Sequence, residues 1–78
     1  MAEQAFILIE TQVGTGKQIV DALRRINHVK EADFIIGPYD AVVRIEAENV
    51  ADILEVVRSR IHQVPGIKRT MTCLAVPV

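Results

Sequence analysis

Apolar positions along the chain follow two periods, and each switch between them marks an element boundary. Residues Gln4 to Thr11 (QAFILIET) are apolar, β-branched and alternating: Phe6 and Leu8 point one way, Ile7 and Ile9 the other. That is a strand with two greasy faces. Val13-Gly14-Thr15-Gly16 breaks it. Thr15 and Gln18 then have the spacing of a capping box, and Ile19, Leu23 and Ile26, with Val20 beside them, recur at helical spacing. This predicts a helix that ends near Asn27, a residue that tolerates the left-handed conformation.

A second strand is predicted over Val29 to Ile36, and a third over Ala41 to Ala47, joined through Gly37-Pro38-Tyr39-Asp40 as a hairpin turn. In the third strand Ala41, Val43, Ile45 and Ala47 share one face, opposite Val42, Arg44 and Glu46. Asn49 suits the N-cap of a second helix, with Asp52 in its first turn. Its apolar stripe is Val50, Ile53, Leu54, Val57 and Ile61, and Val64-Pro65-Gly66 stops it. Ile67 to Val76 reads as the last strand, with Met71, Cys73 and Ala75 on one face and Thr70, Thr72, Leu74 and Val76 on the other.

The order βαββαβ predicts an α+β, ferredoxin-like domain: a four-stranded antiparallel sheet with both helices on one face. The other face is left open. The first strand is apolar on both sides, and water against that open face costs about 25 cal/mol per Å² of apolar surface. A second sheet packed there removes the cost, so the expectation is a dimer through the open sheet faces.

Composition sharpens this. The chain has 78 residues, half of them apolar, which is too little polymer to hide so much aliphatic surface in one copy. Net charge is −1 and the basic residues are scattered, so no concentrated positive surface offers itself to nucleic acid. Cys73 is the single cysteine, which precludes an internal disulfide; among apolar neighbours it reads as a buried, inert thiol. The longest apolar run, Ala5 to Ile9, is too short to span a bilayer, and no basic, then apolar leader opens the chain. A soluble cytoplasmic protein is expected, one domain over residues 1–78.

The chemistry on offer is sparse. Gly14-Thr15-Gly16-Lys17 fails as a phosphate-binding loop, because Thr11 stands where its first glycine belongs and Gln18 where a Ser or Thr should bind magnesium. His28 and His62 each follow a helix, where a cation meets the negative end of the dipole; neither has partners at metal-ligand spacing. Ser59 has no base at a spacing that suggests catalysis, and no cofactor motif is present. The turn at Gly37, Tyr39 and Asp40 is richer. It presents a phenol and a carboxylate together, and a carboxylate can receive an α-ammonium group while turn amides receive an α-carboxylate. Thr70 and Thr72 project hydroxyls to one face and can complete such a site. A plain turn with a packed tyrosine explains the same residues.

Gly37-x-Tyr39-Asp40 followed by Ala41 to Ala47, the helix ending in Arg60-Ile61, Pro65-Gly66-Ile67 and Thr70-x-Thr72 together make the chain resemble the ligand-sensing domain of the Lrp/AsnC family of transcriptional regulators. The resemblance runs over essentially the whole chain. It implies the ferredoxin-like fold, dimers through open sheet faces, and rings of dimers such as octamers or decamers. It also implies free amino acids as effectors, bound between dimers by Gly37, Tyr39 and Asp40, with Thr70 and Thr72. Full-length members carry an N-terminal helix-turn-helix, whereas this chain begins on the first sensing-domain strand. The expectation is a stand-alone, non-enzymatic sensor that does not itself hold DNA and acts through a full-length relative or another partner. The rivals are a small dimeric α+β-barrel enzyme and a structural partner subunit without a ligand.

Overall fold

The computed structural model describes residues 2–78. β1 (Glu3–Thr11), α1 (Gly16–Leu23), β2 (Val29–Phe34), β3 (Ala41–Ala47), α2 (Val50–Val56) and β4 (Ile67–Leu74) follow in that order, and α2 runs on into a π-helical turn, Val57–Ile61. The strands form one antiparallel sheet in the order β2-β3-β1-β4. This is the ferredoxin-like arrangement anticipated from the periodicity.

Strand alternation divides the sheet as expected. Ala5, Ile7 and Ile9 of β1 and Ala41, Val43, Ile45 and Ala47 of β3 are buried against Ile19, Val20 and Leu23 of α1 and Ile53, Val56, Val57 and Ile61 from the second helical segment. On the opposite, open face Phe6 lies between Arg44 and Cys73, and Leu8 between Val42 and Met71. The charges there are organised. Arg44 donates through Nε to Glu31 Oε1 at 2.8 Å and through Nη1 to Glu46 Oε2 at 2.6 Å, and these bonds, Glu31 first, raise its pKa further. Arg69 pairs with Glu10 at 3.3 Å.

Several local expectations are corrected. α1 stops at Leu23 rather than near Asn27; the chain continues in tight turns, with Arg25 N–H donating to Ala22 O and Ile26 N–H to Leu23 O. His28, not Asn27, takes the positive φ, at 79°. Thr15 makes no capping bond: its hydroxyl donates to Gln12 O at 2.7 Å and closes the preceding turn. β2 ends at Phe34, so the β2–β3 connection spans residues 35–40, closed by Ile35 N–H to Asp40 O, and is longer than the predicted turn. β4 stops at Leu74, short of Val76.

In α2 the Asn49 cap is present, its Oδ1 accepting from Asp52 N–H at 2.9 Å. The buried stripe, however, is Ile53, Val56, Val57 and Ile61, while Leu54 is exposed. An uninterrupted α-helix would follow Val56 and Val57 with Arg60 on the buried face. The π-turn, closed by His62 N–H to Val57 O at 2.9 Å, inserts one residue and brings Ile61 inward instead. Cys73 is exposed in the single chain, contrary to the buried thiol expected, because it belongs to the open face.

Candidate functional site

Asp40 is the best-anchored of the candidate residues. Its N–H donates to Ile9 O at 2.9 Å, and its Oδ2 accepts from Thr11 N–H at 2.7 Å and from Thr11 Oγ1 at 3.2 Å. The carboxylate thus clasps the end of β1 to the start of β3. Charge-assisted bonds to a backbone N–H are among the stronger ones a surface carboxylate forms, so Asp40 is held in a fixed orientation. Oδ1 takes part in none of these bonds. Asp40 also lines a cleft of about 410 Å³ with the β1–α1 loop, Lys17 and Phe34, so that a carboxylate, an ammonium and an aromatic ring border one space.

Gly37 and Tyr39 lie in the same connection, both solvent-exposed or nearly so. Gly37 keeps a negative φ and has no atom within 4 Å of the position a Cβ would take, so neither backbone conformation nor space demands glycine there. Tyr39 extends over the open face, where its hydroxyl lies 3.9 Å from Met71 Sδ. Met71 is opposite Leu8 on that face.

Thr70 and Thr72 lie on the other side of the sheet. Their partners in β1 are Ile9 and Ile7, which face the helices. Helical cover runs out over β4: Thr70 is half-buried, Thr72 and Leu74 are exposed. Within one chain the five candidates therefore do not converge. Asp40 borders one cleft, Thr70 a second of about 260 Å³, and Tyr39 points to the opposite sheet face.

Of the two histidines, His62 is the C-cap residue of the π-turn, as expected, whereas His28 lies away from the end of α1. His28 Nδ1 is 3.2 Å from Glu46 O, which joins it to β3 rather than to α1. His62 directs Nε2 to Thr70 Oγ1 at 2.9 Å. Sequence reading missed this pairing; the cue was a histidine just before the turn into a strand that carries the threonines. Ser59 donates to Glu55 Oε1 at 2.6 Å, and Glu55 also receives Arg58. Both contacts, Ser59 first, hold the Glu55 carboxyl below its usual range. Among the described residues no three His, Cys, Asp or Glu side chains are grouped to hold a metal ion, and no helix is long and apolar enough to cross a membrane.

Comparison with known proteins bears on the same residues. Residues 4–76 match the family model of the Lrp/AsnC ligand binding domain. An uncharacterized HTH-type transcriptional regulator of Pyrococcus horikoshii is 26% identical over 74 residues, covering 91% of this chain but 49% of its own length, so the chain spans about half of that curated relative. Among solved structures, a hypothetical protein from Pyrococcus horikoshii is 31% identical, with a TM-score of 0.89, over 100% of this chain and 93% of its own. A transcriptional regulator of Neisseria meningitidis, solved as a complex with L-Met, shares the fold at 13% identity, with a TM-score of 0.84 over 96% of this chain and 50% of its own.

Proposed function

The chain belongs to the Lrp/AsnC ligand-binding domain family, and from that premise we propose that it is a non-catalytic amino-acid sensor whose binding sites are built between copies of the chain. The observation that carries the reading is the scatter of the candidate residues over one protomer. Asp40 stands at the rim, Tyr39 over the open face, and Thr70 and Thr72 on the helix side of an edge strand. A neighbour can bring its own Thr70 and Thr72 to the Asp40 rim, which no single copy does. Dimers form through the open sheet faces and associate further into rings such as octamers or decamers.

In the site, Asp40 Oδ1 accepts the α-ammonium group while Oδ2 stays with Thr11. Exposed amides of the 35–40 connection, Gly37 among them, and the hydroxyls of Tyr39, Thr70 and Thr72 take the α-carboxylate. The L-Met complex of the Neisseria regulator supports an amino acid as the ligand class. The sensor acts in the cytoplasm, by co-assembly with a full-length Lrp/AsnC-type regulator or another partner rather than by holding DNA itself.

Native mass spectrometry with and without a pooled amino-acid mixture, followed by calorimetry against each of the twenty, tests the proposal. A confirmed oligomer that gives no saturable heat with any of them overturns it. Asp40→Asn keeps an acceptor for Thr11 but removes the charge. It weakens binding by about tenfold or more if the ammonium is held there, since a hydrogen bond to a charged group contributes roughly 1.5–3 kcal/mol. Unchanged affinity removes Asp40 from the site.

A further inference from the structure

The cleft on the helix side of β4 has a chemistry of its own. It encloses about 260 Å³ between the end of the π-turn and the start of β4, and its lining is His62, Ile67, Lys68, Arg69 and Thr70. His62 and Lys68 can carry positive charge into it, Thr70 brings a hydroxyl, and none of the five is a carboxylate; the Arg69 guanidinium turns to Glu10 on the open face, at 3.3 Å. Lys68 has no carboxylate within ion-pair distance among the described residues.

The π-turn decides where His62 goes. By adding one residue to the last helical turn it rotates the chain so that Ile61 enters the core and the following ring reaches Thr70. A neutral imidazole with a bare Nε2 takes the Thr70 hydroxyl hydrogen. An imidazolium instead donates to Thr70 Oγ1 and frees that hydrogen to point into the cleft. In the charged state the cleft thus offers a hydroxyl donor, an imidazolium and an ammonium, with Ile67 as an apolar floor. That set is complementary to a small oxyanion and to little else.

We propose that this cleft is a binding site for a small oxyanion, a carboxylate or a phosphate, held by the Thr70 hydroxyl, His62 and Lys68. The site lies within one chain and needs no neighbouring copy. It shares Thr70 with the amino-acid reading but does not depend on it. Of the charged residues at the cleft, Lys68 shares its lining with His62, while Arg69 is engaged by Glu10 on the open face.

The test is a two-dimensional NMR titration of the intact chain with sodium phosphate and, separately, sodium acetate, against sodium chloride at matched ionic strength. Saturable shifts confined to residues 67–70 and the His62 ring are expected with one or both oxyanions. Response to phosphate alone assigns a phosphate group; response to both assigns oxyanions generally. His62→Gln and Lys68→Ala, both at the surface, should each weaken binding by roughly tenfold, the loss of one charge-assisted bond. The proposal falls if neither anion gives a saturable shift, if chloride reproduces it, or if both variants bind as the parent does. Amino-acid heats measured on the same variants separate this failure from failure of the sensor.

Discussion

Phe6 is the most direct handle on whether the open sheet face is an interface. It sits on the central strand β1 between Arg44 and Cys73 and leaves 42% of its surface in water. A phenylalanine presents roughly 200 Å², so about 85 Å² remains for a partner to cover. At about 25 cal/mol per Å² that is about 2 kcal/mol per copy; a two-fold interface uses the side chain twice, for about 4 kcal/mol. Phe6→Ala should therefore raise the dimer dissociation constant by about a thousandfold. The truncation also removes the contacts Phe6 makes within its own chain, so thermal unfolding is followed alongside. The assay is sedimentation velocity from nanomolar to high micromolar protein. If folded Phe6→Ala dissociates over the same concentrations as the parent, Phe6 is not in the interface. If the parent itself stays monomeric and folded, the dimer is wrong.

Other predictions test separate parts of the structure. Gly66 has φ +95°, and a Cβ there would come within 3.0 Å of Ile19 Cδ1 and Thr15 Oγ1, so Gly66→Ala should cost about 1–3 kcal/mol in urea unfolding. Gly37→Ala, in open space, should be near neutral in the same assay. Cys73 should react with a thiol reagent slowly when the protein is concentrated and fast when it is diluted; a rate independent of concentration places Cys73 outside any contact. Ser59→Ala removes the largest cause of the lowered Glu55 pKa, so Glu55 should titrate higher in the variant. Because the folded value is depressed, this stabilisation is present above the unfolded carboxyl's range and is lost as pH falls through the folded one. The two proteins should thus converge in stability in acid, and a difference that persists there would contradict the assignment.

The sheet and its faces were legible because strand alternation is a property of the local chain: Ala41, Val43, Ile45 and Ala47 could only be buried together. The element ends were less so. Helix propensity does not announce where Leu23 hands over to tight turns, and Thr15 had two acceptable bonds, of which the turn to Gln12 was made. The π-turn was invisible to a count at helical spacing, because the stripe Val50, Ile53, Leu54, Val57 and Ile61 assumes an unbroken helix. Upstream of it, in the regular α-helical part, Val56 is buried while Val50 and Leu54 are exposed. Of the candidate site, the residues were nameable but their faces were not compared. Thr70 and Thr72 were placed on one face of β4 and Tyr39 at a turn, and only strand register shows that the turn reaches over the other side.

That opposition has a physical consequence for regulation. β1 is apolar on both faces: one side is covered by helices inside the chain, and the other leaves Phe6 exposed and Leu8 half-buried. β4 is an edge strand whose helix side is only partly covered, so Thr70, Thr72 and Leu74 are left for something else to meet. A ligand that joins the Asp40 rim of one copy to β4 of another binds only where both copies are present. By linkage it must then favour association by the same factor by which association favours it. The ligand need not reshape any protomer to do this. A rigid clasp such as Asp40 on Thr11 suits that arrangement, because it holds one half of the site in place before the second half arrives.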